Sequence, residues 1–125
     1  MKEPKDVTIL IADDEADLKN ALKFEFTRKG YNVLQAGNGA EALNVIRTNK
    51  VDIVISDIRM PNGDGIGLLD AVRKADPGLP VLIFMTGFAD ITTEEAIRRG
   101  AHAIFPKPLD RHGLNAAVKK IVDEM

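Results

Sequence analysis

Asp13, Asp14, Asp57, Thr86 and Lys107 have the types and the placement to do chemistry together. All follow closely on apolar runs rich in β-branched residues. Three carboxylates crowded into one place repel one another and raise each other's pKa values. A bound hard cation relieves that repulsion. Carboxylate oxygens, a loop carbonyl and waters suit Mg²⁺ (or Mn²⁺), which keeps several waters when bound to protein. A hydroxyl and an ammonium facing the same spot suit a transferred phosphoryl group. Carboxylates do serve as phosphoryl acceptors. The set therefore reads as an aspartate nucleophile, Asp57, with a metal beside it and with Thr86 and Lys107 holding the product oxygens.

These residues come from distant parts of the chain, so the elements that carry them must converge. The run Val51 to Asp57 has the length and near-continuous apolarity of a central parallel strand covered on both faces. Pro61, Gly63 and Gly65 then stop it and shape a loop. Thr8–Ala12 runs into Asp13-Asp14-Glu15, Val81–Met85 runs into Thr86-Gly87, and 102–105 runs into Pro106-Lys107-Pro108. Another strand covers about 32–36. Helices are expected near 16–29, 40–48, 66–75, 91–99 and after Asp110, which reads as the cap of the fifth, with Leu18, Leu22 and Phe26 marking the inward face of the first. Strict strand–helix alternation implies a doubly wound, five-stranded parallel sheet with helices on both faces. Right-handed crossovers put every strand-to-helix loop on one edge. The expected strand order is 2-1-3-4-5, the flavodoxin-like arrangement, whose ligands bind at the carboxyl ends of the strands.

Taken singly, each residue has a plainer reading. Any one aspartate could cap a helix, Asp13-Asp14-Glu15 could be a solvated helix start favoured by its dipole, and Lys107 and Thr86 could be ordinary surface and turn residues. Their joint occurrence at four strand ends favours the chemical reading. Asp64 reads as a loop residue capping the third helix, and His102 and His112 are too few and scattered for a metal site or a triad.

The 125 residues suit one domain, and 45% hydrophobic with 29% charged residues is an ordinary globular balance. The absence of cysteine excludes disulfides, thiolate metal sites and cysteine catalysis. A net charge of -2 gives no electrostatic case for nucleic-acid binding. The polar start is followed by no apolar stretch long enough for a signal peptide or membrane span, so a cytoplasmic location is expected.

From about Asp6 onward the sequence resembles the receiver domain of two-component response regulators. The resemblance is carried by Asp13-Asp14, by Asp57-Ile58-Arg59-Met60-Pro61-Asn62-Gly63-Asp64-Gly65, by Thr86-Gly87, and by Phe105-Pro106-Lys107-Pro108. Gly87 stands where the family more often has alanine. The resemblance implies that Asp57 is the phosphoacceptor. It implies that Asp14 and Asp57, with the backbone carbonyl of Arg59, bind Mg²⁺ directly, and that Asp13 acts through water. Lys107 would contact the phosphoryl group, with a cis bond to Pro108, and Thr86 and Phe105 would form a switch pair. A histidine kinase or phosphotransfer protein would supply the phosphoryl group. An effector protein or domain would read the face made by the fourth helix, fifth strand and fifth helix.

On this reading residues 1–125 are a single receiver domain with no output domain visible, a signalling switch that catalyses only its own phosphorylation and dephosphorylation. Two other functions compete with this one. A Mg²⁺-dependent phosphatase with an aspartate nucleophile wants a second aspartate two residues on, where Arg59 stands. A degenerate receiver acting without phosphorylation would be expected to lack part of the acidic site. Arg59 and Phe88, each two residues beyond a strand-end site residue, are expected to flank the mouth of the site and hinder attacking water.

Overall fold

The computed structural model describes residues 2–87 and 91–125. A short 3₁₀ turn, Pro4–Asp6, precedes β1 (Thr8–Ala12), α1 (Ala16–Arg28), β2 (Asn32–Ala36), α2 (Gly39–Thr48), β3 (Ile53–Asp57), α3 (Gly65–Ala75), β4 (Val81–Thr86), α4 (Thr93–Arg98), β5 (Ala103–Pro106) and α5 (Arg111–Asp123). The strands form one sheet in the order β2-β1-β3-β4-β5, with every neighbouring pair parallel. Both the fold class and the strand order expected from the alternation are present.

The sheet is buried on both faces, and the two-residue period of a strand divides its side chains between two cores. Ile9 and Ile11 of β1, Ile53 and Ile55 of β3, and Ile83 and Met85 of β4 pack with Leu22 and Phe26 of α1 and Leu114, Val118, Ile121 and Val122 of α5. The intervening residues Leu10, Ala12, Val54, Leu82 and Phe84 pack on the other face with Ala42 of α2, Leu68, Leu69 and Val72 of α3, and Ala96 of α4. Each fully buried Leu, Ile or Phe contributes about 1.5–3 kcal/mol, so the central strands β1, β3 and β4 are anchored from both faces. Asp13 follows β1, Asp57 ends β3 and Thr86 ends β4, whereas Lys107 follows the edge strand β5.

The helices begin where side chains supply acceptors for orphan N–H groups. Asn38 accepts from the Glu41 N–H, Asp64 from Gly67, Thr92 from Glu95 and Asp110 from Gly113. The Asp64 and Asp110 caps agree with expectation. The Thr92 cap explains why α4 is shorter than the sequence suggests: the helix starts after the cap, at Thr93. β3 begins at Ile53, two residues into the apolar run, and the Asp52 side chain before it accepts the Thr8 N–H at 2.9 Å. Gly30 and Gly100 close α1 and α4 with φ of +97° and +110°, backbone values that L side chains rarely adopt.

Candidate functional site

β1 and β3 are adjacent in the sheet, with Ala12 opposite Ser56. The residues that follow them, Asp13 and Asp57, therefore leave the sheet side by side. Asp13 is wholly buried and Asp57 is 6% exposed, whereas Asp14 faces solvent. The Asp13 Oδ1 accepts the Glu15 N–H at 2.8 Å, which turns the chain sharply into α1. Carboxylate oxygens of Asp13, Asp14 and Asp57 lie within 4.8 Å of one another. This is a hard, all-oxygen donor set of the kind that Mg²⁺ takes.

On the next strands, Thr86 ends β4 opposite Pro106 of β5, and the Lys107 N–H donates to the Thr86 carbonyl at 2.8 Å. That bond fixes the start of the loop after β5, and the Lys107–Pro108 peptide is cis, as expected. The Lys107 side chain then crosses above the sheet edge. Its Nζ lies 2.9 Å from Asp57 Oδ2 and 3.2 Å from Asp13 Oδ2. A third carboxylate, Glu15 Oε1, also stands at 3.2 Å.

The electrostatics follow from that contact. Burial alone disfavours the charge on Lys107, but the hydrogen bonds and negative charges of Asp57 and Asp13 outweigh it. The ammonium is held well above the ordinary lysine pKa. Burial pushes the Asp13 carboxyl up. The Glu15 N–H and the Lys107 charge oppose the rise, and the nearby Asp57 charge adds to it.

The loop after β3 is held from two sides. The Ile58 N–H donates to the Met85 carbonyl at 3.2 Å, and the Gly65 N–H to the Ile58 carbonyl at 2.7 Å. Asn62 and Gly63 adopt positive φ, which turns the loop so that the carbonyls of Asn62 and Gly63 accept from Ala40 and Gly39 at the start of α2. Gly65 is a site of close backbone approach. A Cβ there would stand 2.4 Å from the Asp57 carbonyl oxygen and 2.8 Å from the Phe84 ring. The Arg59 N–H donates to Asp57 Oδ1 at 3.3 Å, so this residue does lie against the aspartate, with its side chain exposed. Asp14, Arg59, Met60, Pro61 and Asp64 line one shallow groove at this edge. Phe88 lies outside the described residues.

Phe105 sits in β5 opposite Met85, half-buried against the core shared by α1 and α5. Thr86 is half-buried on the neighbouring strand.

Two features escaped the sequence reading. Glu15 passes for a solvated helix-start residue, and only the return of Lys107 across the sheet edge gives it a partner. Arg73 of α3 donates from its guanidinium to the carbonyls of Gly100 at 2.9 Å and Pro80 at 2.7 Å, tying α3 to the loops around β4 and α4. Nothing local in the sequence marks it.

A doubly wound sheet of order 2-1-3-4-5 gathers three carboxylates and a lysine at its carboxyl edge, where open α/β sheets bind their ligands. The chain belongs to the response regulator receiver family: the family model for the response regulator receiver domain matches residues 9–119. It is a phosphorylation-activated switch domain. It is 34% identical over 120 residues to the transcriptional regulatory protein GlrR of Escherichia coli, covering 96% of this chain and 27% of that one. The chain thus spans 27% of the length of that larger regulator. It is 34% identical over 113 residues to sporulation initiation phosphotransferase F of Bacillus subtilis, covering 90% of each. Among solved structures, the receiver domain of the Francisella response regulator 1452 matches with a TM-score of 0.87 at 29% identity, covering 94% of this chain and 98% of that one. The response regulator TrrA of Thermotoga maritima, in complex with Mg²⁺ and BeF, matches with a TM-score of 0.81 at 29% identity, over 92% of this chain and 98% of that one. Among the described residues, no helix is long and apolar enough to cross a membrane.

Proposed function

We propose that Asp57 is the phosphoacceptor and that Lys107 is the residue that holds the phosphoryl group on it. The observation that carries this reading is the single Lys107 ammonium shared between Asp57 and Asp13 at the carboxyl edge of the sheet. An Asp57 oxygen forms a bond to phosphorus as the bond from phosphorus to a donor histidine nitrogen breaks, the donor keeping the electron pair. Lys107 is then placed to follow the charge onto the phosphoryl oxygens, and Thr86 supplies a hydroxyl from the adjoining strand end. Asp13, Asp14 and Asp57, with the backbone carbonyl of Arg59, would hold Mg²⁺ or Mn²⁺, which would neutralise charge on the transferred group.

The donor is a histidine kinase or phosphotransfer protein, and residues 1–125 act as one receiver unit. The catalysis is confined to the domain's own phosphorylation and dephosphorylation, in the cytoplasm. The state of Asp57 is read by an effector protein or domain on the face of α4, β5 and α5, with Thr86 and Phe105 as the switch pair. Phe105 is suited to that part because it is only half-buried and has a packed core to move against.

The test uses Mg²⁺ and acetyl phosphate. One phosphoryl group is taken up, it is lost in base as an acyl phosphate is, and Asp57→Asn takes up none. A base-stable product, or one that maps to Thr86, overturns the assignment.

A further inference from the structure

Lys107 has three ammonium protons, and three carboxylates stand around it. The three partners are not equivalent. Asp13 has a side chain with 0% exposure, and losing its cation would leave a buried charge uncompensated. Asp57 is the reacting residue. Glu15 is different: its side chain is 61% exposed, so water can replace the ammonium at little cost. Nor is Glu15 committed elsewhere by its position. It occupies the N-cap of α1, but its side chain makes no capping hydrogen bond. Its backbone N–H is instead pinned by Asp13, which holds the residue at the mouth of the site with its carboxylate on Lys107.

We infer that Glu15 is a positioning residue for phosphorylation: it is the displaceable partner that occupies one proton of Lys107 in the resting domain and competes with the incoming phosphoryl oxygens. The inference rests on the reading of Asp57 as phosphoacceptor and Lys107 as phosphoryl ligand. When the Asp57 oxygen bonds to phosphorus and the donor departs with its electron pair, the phosphoryl oxygens need ammonium protons. Asp57 yields one as its charge passes to the phosphoryl group, and Glu15 yields the other. The Glu15 carboxylate also repels an anionic donor arriving at the same mouth. Both effects have the same sign. Glu15 slows uptake and weakens the phosphorylated state relative to the resting one.

Beryllofluoride, a phosphoryl mimic, separates this role from a merely structural one. At saturating Mg²⁺, both Glu15→Gln and Glu15→Ala should bind beryllofluoride more tightly than wild type. The gain should be about two- to fivefold, the range of an exposed ion pair. Uptake from acetyl phosphate should rise by a similar factor. In the resting state the Lys107 side-chain NMR signals should shift in both variants while the melting temperature stays near that of wild type. Equal or weaker beryllofluoride binding in both variants overturns the role of Glu15, provided that wild type binds the mimic and Asp57→Asn does not. If wild type itself fails to bind, the phosphoacceptor reading falls and this inference falls with it. A variant whose Lys107 signals do not move shows that the ion pair is absent in solution, which also overturns the proposal.

Discussion

Lys107 and Asp57, fifty residues apart in the chain, meet through a 2.9 Å hydrogen bond between Nζ and Oδ2. Asp13 shares the same ammonium from another strand, so one cation bridges two carboxylates that the sheet forces together. Removing that cation leaves like charges at close range in a buried setting. Lys107→Met should cost about 1–3 kcal/mol in metal-free solution, as expected when a buried acceptor loses its partner. Mg²⁺ should restore more stability to the variant than it adds to wild type. Thermal denaturation with and without Mg²⁺ measures both. A variant as stable as wild type without metal would show that the pair carries no stability.

The metal reading makes a sharper demand on Asp14. It is the exposed member of the carboxylate cluster and makes the least contribution to packing. Asp14→Asn should therefore fold normally and lose most of its Mg²⁺ affinity by calorimetry. Undiminished affinity removes Asp14 from the site.

Gly65 supports Asp57 by leaving room for its backbone. Gly65→Ala should destabilise the domain by roughly 1–3 kcal/mol, the usual cost of overpacking, and should reduce phosphate uptake because relief requires the Asp57 backbone to move. Gly67→Ala, two residues on, is the control. Its Cβ would meet only the Asp64 carboxylate, at an ordinary 3.5 Å. It should be neutral or mildly stabilising, since alanine is the better helix former. Chemical denaturation of the pair gives the contrast.

Arg59 lies against Asp57 through its backbone and projects an exposed side chain at the mouth of the site. Bulk there is expected to hinder the water that would hydrolyse the acyl phosphate. Arg59→Ala, alone or with Phe88→Ala, should shorten the life of the phosphorylated form. The decay of incorporated phosphate after donor removal measures it, and an unchanged rate refutes the role.

Backbone amide NMR shifts on adding beryllofluoride should be larger in α4, β5 and α5 than in α1 to α3. Burying more of the Phe105 ring contributes up to ~1.5–3 kcal/mol, enough to bias a two-state equilibrium without locking it. Shifts confined to the loop after Asp57, with Phe105 untouched, would leave the switch pair without support.

A last expectation concerns acid. Asp76 accepts the N–H groups of Gly78 at 2.8 Å and Leu79 at 3.0 Å, and these bonds hold its carboxyl below the ordinary value. Its folded pKa is depressed, so its contribution is present above the unfolded value of about 3.9 and is lost as pH falls through the folded value. The stability gap between wild type and Asp76→Asn should be widest near neutrality and narrow on acidification. A gap independent of pH would dissociate the carboxylate from the turn.

The order of elements, the two-faced apolar strands, the caps Asp64 and Asp110, and the set of polar residues at the strand ends can all be read along the linear chain. These are legible because they depend on local periodicity and on where an apolar run stops. Once right-handed crossovers were granted, the strand order and the shared edge followed as well. How neighbours in the chain divide their roles depends instead on packing. Asp13 and Asp14 are adjacent and chemically identical, yet one is wholly buried and the other exposed, because the Asp13 carboxylate turns back to take the Glu15 N–H as the chain leaves the sheet. Glu15 becomes a partner of Lys107 only through a contact that spans 92 positions. Arg73 finds its carbonyl acceptors in loops that no local pattern connects. Local sequence fixes which face of an element is apolar; only packing fixes which charges are taken out of water and which of the remaining groups they must share.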